Sequence, residues 1–297
     1  MIGTFVNLEG AIDLHLHTHP CLFPRLCDDY AAANAAADAG FRAIVLKCHH
    51  ESSVSRAREV SRQIEGFTVF GGIVLNSYVG GINPAAVEAA IRLGGKIVWM
   101  PTIDAAYHAE IHGARGKYDV QDGGKSDGDG VIGGISIWDA DKKITKETMD
   151  VLKLVAENNV VLGTCHLSPG EIFALVKAAR DIGVKKIQIT HPFFKVPRLS
   201  LEQLKELVAL GASAEFGYCT VSPMWNYATI DEVVAAIKAV GADHAVLMSD
   251  AGQRHNPMPH EALRVFAQSL YEKGLTEEEI RRMVVVKPAE LLGLEAR

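Results

Sequence analysis

Four stretches of the chain end in groups that could share a metal ion. The first is Ile12-Asp13-Leu14-His15-Leu16-His17-Thr18-His19-Pro20. In an extended chain successive side chains point to opposite faces, so Asp13, His15 and His17 are expected on one face and Leu14 and Leu16 on the other. Two histidines two apart on a rigid strand hold their ring nitrogens close enough for one ion. His19 can continue the row, but Pro20 turns the chain into a loop. Taken alone, a His-x-His is equally a polar strand end that happens to hold histidines. Three later apolar runs add to it: Val160 to His166 (VVLGTCH), Lys186 to His191 (KIQITH) and Ala245 to Asp250 (AVLMSD). Alternation groups Leu162 and Thr164 with His166, Ile187 and Ile189 with His191, and Val246 and Met248 with Asp250.

The elements that must position these groups follow a regular rhythm. After the first strand, Asp28 to Gly40 reads as an Ala-rich helix with acidic residues in its first turn and a glycine stop. Strands are expected over Phe41–Lys47, Phe67–Asn76 and Lys96–Thr102, with helices over Glu51–Ile64 and from Asn83-Pro84 to Leu93, where the cap and first-turn proline stand in the expected order. A Gly/Asp-rich segment, 103–143, then breaks the rhythm. It is too long for an ordinary connection and is expected to be disordered or an active-site lid. Helices over Thr145–Asn158, Pro169–Ile182, Leu201–Leu210 and Thr229–Val240 alternate with strands at Val160, Lys186, Ala212–Thr220 and Ala245. Helices over His260–Lys273 and Thr276 to about Leu292 close the chain.

Eight near-continuous apolar strands alternating with helices predict a single (β/α)8 barrel over 1–297, with the lid inserted after the fourth strand. No Gly-x-Gly-x-x-Gly follows the first strand to support an open dinucleotide-binding sheet. In such a barrel chemistry collects at the C-terminal ends of the strands, so His15, His17, His166, His191 and Asp250 converge at one mouth. Crowded, desolvated imidazoles need a shared cation or a proton network. Cys165, next to His166, should point the other way as a buried thiol. His49, His50, His108, His112 and His255 fall on loops and are expected in solvent.

This pattern resembles the amidohydrolase superfamily: Asp-x-His-x-His on the first strand, histidines ending the fifth and sixth, and aspartate ending the eighth. The closing Lys287-Pro288-Ala289-Glu290-Leu291-Leu292-Gly293-Leu294 is similar to the last helix of many members. The resemblance implies a divalent metal, zinc in the first instance, held by His15, His17, His166, His191 and Asp250. It also implies that Asp250 takes the proton from the attacking water and that His191 holds the metal or polarises the substrate. The activity implied is hydrolysis of an amide, lactone or ester. Many two-metal members carry a bridging lysine or glutamate on the fourth strand. Here that strand reads Ile97-Val98-Trp99-Met100-Pro101-Thr102, so one ion, or two without a carbamate bridge, is expected. Lys47, ending the second strand, is either a substitute bridge, a substrate contact or a lysine snorkelling at the rim. Asp13 and Glu215 are candidates for orienting a ligand histidine from behind, although Glu215 could equally face solvent. Two readings compete: a mononuclear decarboxylase or other lyase on the same barrel, and a phosphoesterase of the polymerase-and-histidinol-phosphatase type, which explains Asp250 less well.

Basic residues on the expected mouth loops, Arg25 and Arg254 among them, suit a small carboxylate- or phosphate-bearing substrate, or simply decorate solvated loops. The net charge of −6 argues against nucleic-acid and anionic-membrane partners. Met1–Gly10 lacks a signal peptide's basic start and apolar run, and no stretch approaches the ~20 apolar residues of a membrane span. Five scattered cysteines, none in a Cys-x-x-Cys, suit reduced thiols in a cytoplasm and give no sign of a thiolate zinc site. The sequence leaves open whether the chain forms a homo-oligomer.

Overall fold

The protein is described by a computed structural model over residues 5–118 and 133–295. Eight parallel strands, β1 (Ile12–Leu16), β2 (Ala43–Leu46), β3 (Thr68–Val74), β4 (Ile97–Trp99), β5 (Val161–Gly163), β6 (Ile187–Thr190), β7 (Ser213–Gly217) and β8 (Ala245–Met248), pair in sequence order. The seam between the first and last strands is joined by backbone bonds from Asp250 N to His15 O and from His17 N to Ala251 O, both 2.8 Å. This is a TIM barrel. The outer layer comprises α1 (Asp29–Asp38), α2 (Val54–Ser61), α3 (Pro84–Arg92), α4 (Ala106–His112), α5 (Lys146–Asn158), α6 (Pro169–Ile182), α7 (Leu201–Ala209), α8 (Tyr218–Val221), α9 (Ile230–Val240), α10 (Pro259–Glu272), α11 (Glu277–Arg281) and α12 (Lys287–Leu292).

Local chemistry explains most boundaries. Asp28 caps α1 by accepting from Ala31 N, and Asn83 caps α3 ahead of Pro84. Capping boxes pair Ser168 with Glu171, Ser200 with Gln203, Thr229 with Glu232 and Thr276 with Glu279. Two expected elements differ. The strand expected to run to Thr220 ends at Gly217, and the next four residues form α8. The single closing helix widens to a π-turn over Arg282–Val286, just ahead of Pro288, whose ring cannot donate to the carbonyl four residues back.

Two apolar layers meet at the strands. An inner cluster, including Ile12, Leu14, Val45, Trp99, Val161, Cys165 and Val246, fills the barrel and is joined by Ala289, Leu291 and Leu292 of α12. An outer cluster, including Leu16, Leu46, Leu162, Ile187, Ile189 and Leu247, packs against the helices. Trp99 is fully buried inside. A Cβ on Gly72 or Gly163 would come within 2.6 or 2.5 Å of its indole, so glycine at both places makes room for the ring.

Simple alternation does not carry the candidate ligands to the mouth. In β1 the register shifts between Asp13 and Leu16, so that Leu14 lies in the inner cluster while Leu16 lies in the outer one. Leu162, Ile187 and Ile189 face the helices, and strict alternation would have sent His166 and His191 there with them. The chain escapes through left-handed residues at the strand ends: Cys165 (φ 50°), His191 (φ 30°) and Asp250 (φ 48°). Non-glycine residues in this region cost of order 1–3 kcal/mol each and persist where the surroundings enforce them, commonly at functional sites.

Of the expected lid, 119–132 lies outside the described residues. Its described flanks are built into the mouth: α4 occupies the first, Ala106 N donates to Ile135 O (2.9 Å), and Ser136 donates to Glu171 (2.6 Å). No helix among the described residues is long and apolar enough to cross a membrane.

Candidate metal centre

The mouth of the barrel gathers His15, His17 and Asp250 so that one donor atom from each lies within 4.8 Å of the others. His15 Nε2 and His17 Nε2 both stand 3.2 Å from Asp250 Oδ1. His166 and His191 line the same cavity, with ring centroids 5.1 Å apart, but lie outside that three-atom set. All five residues are buried.

Tautomers follow from the hydrogen bonds. His17 Nδ1 sits 2.9 Å from the Lys47 carbonyl, which can only accept, so the ring proton is on Nδ1 and Nε2 presents a lone pair. Burial and the charge of Arg25 lower the His17 pKa to about 3, which keeps the ring neutral. Burial would raise the Asp250 carboxyl, but the charge and hydrogen bond of His15 hold it well below the ordinary range. Two lone pairs, with no proton between them, therefore face each other across 3.2 Å. Nitrogen and oxygen ligands about 2.0–2.2 Å from one tetrahedral ion stand about 3.3 Å apart, so the pair has the spacing of two ligands on one ion. His15 is held differently. Burial and Lys47 oppose its protonation, yet Asp250 and Glu215 outweigh them and raise its pKa.

His166 is oriented by a relay that sequence reasoning missed. His108 Nε2 donates to the Lys117 carbonyl (2.8 Å), which leaves its Nδ1 to accept from His166 Nδ1 (2.8 Å). The Nε2 of His166 is then the lone-pair nitrogen. Burial, with His108 and His191 nearby, lowers the His166 pKa well below the ordinary value, and burial lowers that of His191 to about 3. His108 was expected in solvent and is fully buried. His49, also expected there, is buried, stacked on His17 at 4.7 Å and hydrogen-bonded to Thr102. For His108 the only signal was a helical pattern inside the supposed lid.

The remaining candidates are placed as follows. Glu215 is fully buried, with Oε2 3.7 Å from His15 Nδ1; neither atom has a hydrogen-bond partner among the described residues. Lys47 is buried with its Nζ 3.0 Å from His15 Nε2, 3.8 Å from Cys165 Sγ and 5.5 Å from the Trp99 ring centroid. Arg25 lines the cavity, and its Nη2 is buried without a partner among the described residues. Arg254 is exposed and does not line that cavity. Asp13 does not join the histidines: its Oδ1 accepts from His15 N (3.2 Å) and Ser249 N (3.1 Å), pinning the seam between β1 and β8. The cavity, about 430 Å³ including its open mouth, has an aromatic wall of Phe23, Tyr118, Phe194 and Trp225 that the sequence did not single out.

Asp13 yields a pH prediction. Burial, opposed by bonds from Ser249 and His15, pushes its carboxyl up to about 6. A raised carboxyl pKa means that the folded state holds the proton more tightly than the unfolded chain, so this contribution is present at low pH and lost as pH rises from about 4 to about 6. The loss is roughly 3 kcal/mol. Asp13→Asn keeps an acceptor for both amides and removes the buried charge. Melts in chelator from pH 4 to 8 should show a flatter pH slope for the variant and a Tm at pH 8 no lower than that of the parent; a parental slope would contradict this.

The fold has relatives of known structure. The chain is similar to an amidohydrolase from Pseudomonas aeruginosa (12% identity, TM-score 0.62, covering 95% of each chain). It is also similar to an organophosphorus hydrolase from Deinococcus radiodurans (17%, 0.59, 97% of this chain and 94% of that one) and to a lactonase from Listeria monocytogenes (14%, 0.59, 98% and 97%). At these identities the likeness is one of fold. No curated protein matches the chain. A family model does match, over residues 10–215, a span that carries every candidate ligand but Asp250, and the chain accordingly belongs to DUF6282, a family of unknown function.

Proposed function

We propose that this protein is a metal-dependent hydrolase of the amidohydrolase type, acting on a small anionic substrate. The observation that carries the reading is the convergence of His15, His17 and Asp250, with both Nε2 atoms 3.2 Å from one carboxylate oxygen and one donor atom of each residue within 4.8 Å of the others. His15, His17 and Asp250 would hold a divalent ion, with His166 and His191 adjacent. A donor set of two imidazoles and one carboxylate suits zinc. A zinc ion there would polarise a carbonyl or phosphoryl oxygen and acidify a coordinated water.

The chain's own groups supply the rest. Asp250, kept ionised by His15, accepts the proton of the attacking water. Glu215 orients His15 from behind, and His108 orients His166. His191, neutral and with a buried, unpartnered Nδ1, faces the reacting oxygen. Lys47 adds positive charge on the same wall. The partnerless Nη2 of Arg25 receives the substrate's carboxylate or phosphate, while the aromatic wall covers its apolar part and excludes water. The hydrolase and lactonase activities of the structural relatives are consistent with this chemistry.

The test is a panel of lactones, amides and phosphoesters, each with and without a carboxylate, assayed before chelation, after it and after zinc is restored. Zinc-restored hydrolysis of a carboxylate-bearing member supports the reading. Carbon dioxide release without hydrolysis would replace it by a decarboxylase. Arg25→Met should raise KM for anionic substrates roughly 10- to 100-fold, the worth of a hydrogen bond to a charged group. The kcat on uncharged analogues should stay near the parent's, and an equal KM change on both kinds would remove Arg25 from recognition.

A further inference from the structure

A second cluster of metal-binding side chains lies on the rim of the mouth, apart from the candidate centre. Cys21 belongs to the loop after β1, and Cys48 and His50 to the loop after β2. One donor atom from each lies within 4.8 Å of the others, and Cys21 Sγ is 3.6 Å from His50 Nδ1. Zn–S bonds of about 2.3 Å and Zn–N bonds of about 2.0–2.1 Å at a tetrahedral angle put sulfur and nitrogen about 3.6 Å apart. The observed spacing is that of two ligands on one ion.

The surroundings fit the same purpose. Cys48 is buried, and Cys21 and His50 are half-buried. Arg25 Nε donates to Cys21 Sγ (3.3 Å), the kind of outer contact that steadies a thiolate ligand. The His50 ring is packed between Phe23 (5.3 Å between centroids) and Tyr78 (4.8 Å, edge-on). A disulfide would need only the two sulfurs; the imidazole in contact with the thiol is a third donor. The Cys-x-x-Cys spacing that would have revealed such a site in the sequence is absent, because 26 residues intervene between Cys21 and Cys48 and the barrel brings the two loops together.

We propose that Cys21, Cys48 and His50 bind a soft divalent ion, zinc or its cobalt substitute, as a clip joining the loop after β1 to the loop after β2. Two thiolates and an imidazole select such an ion over magnesium or calcium and leave a fourth tetrahedral position for water. The clip holds Arg25 through Cys21 and Phe23 through His50, and both of these line the cavity at the mouth. Its role is to position them. It does not depend on the hydrolase reading, since the mouth centre draws on nitrogen and oxygen donors.

Cobalt(II) added to reduced, chelator-treated full-length protein separates the two sites. Thiolate ligation gives an intense near-ultraviolet charge-transfer band, which nitrogen and oxygen ligation at the mouth does not. We expect the band in the parent protein, its loss in Cys21→Ser and in Cys48→Ser, and its retention in Cys165→Ser and in His17→Ala. As a check that needs no variant, zinc should slow alkylation of Cys21 and Cys48 in the native parent at least tenfold, with sites mapped by mass spectrometry. Absence of the band, its persistence in both serine variants, or only three titratable thiols in unreduced, denatured protein because Cys21 and Cys48 are disulfide-bonded, would overturn the proposal.

Discussion

Asp250→Asn is expected to leave the barrel folded and the metal content near that of the parent while turnover falls by roughly 10²–10⁴-fold, the usual worth of a positioned acid–base group. The asparagine keeps the size of the side chain and an oxygen toward His15 and His17, each now 3.2 Å from the carboxylate. What it removes is basicity. Asn also tolerates the left-handed conformation at φ 48° better than most residues, so the backbone that aims this side chain should survive. If the carboxylate served only to pin the strand end, the variant would lose stability and keep its rate. Metal content, Tm and turnover measured on one preparation distinguish the two, and normal turnover with metal bound would take Asp250 out of the mechanism.

His17→Ala should act earlier, on the ion itself. Outer contacts to a metal ligand are commonly worth 10–100-fold in metal affinity, so loss of a ligand should cost more than 100-fold. The cost should be large here because the His17 ring is already neutral, already in the tautomer that offers Nε2, and held by the Lys47 carbonyl. Competition against a chromophoric chelator reads the affinity, and activity should return in part at high zinc. Parental affinity in this variant would mean that the ion, if any, is held elsewhere.

Much of the architecture was legible because local signals agree with the global fold. Caps such as Ser168 with Glu171 and Asn83 before Pro84 mark helix starts wherever they occur. The short apolar runs between them leave little choice but a barrel. The site was legible in composition rather than in geometry. Histidines and an aspartate at strand ends suggested convergence, but the alternation used to aim His166 and His191 fails in this barrel. Their delivery to the mouth depends on backbone turns at Cys165 and His191 that no residue pattern encodes. His108 reaches His166 from α4 across 58 positions of chain. Arg25 and Arg254 look alike in sequence; loop conformation buries one in the cavity and leaves the other in solvent. Cys21 and Cys48 meet only because neighbouring strands bring their loops together.

The central claim, a divalent ion held by His15, His17 and Asp250, is tested most directly by anomalous scattering from crystals of the full chain grown without chelator and measured at the zinc absorption edge. The expected result is a peak about 2.0–2.2 Å from His15 Nε2, His17 Nε2 and an Asp250 carboxylate oxygen, gone in crystals of His17→Ala. No peak at that position after soaking in excess zinc, with the three side chains arranged as described, would contradict it.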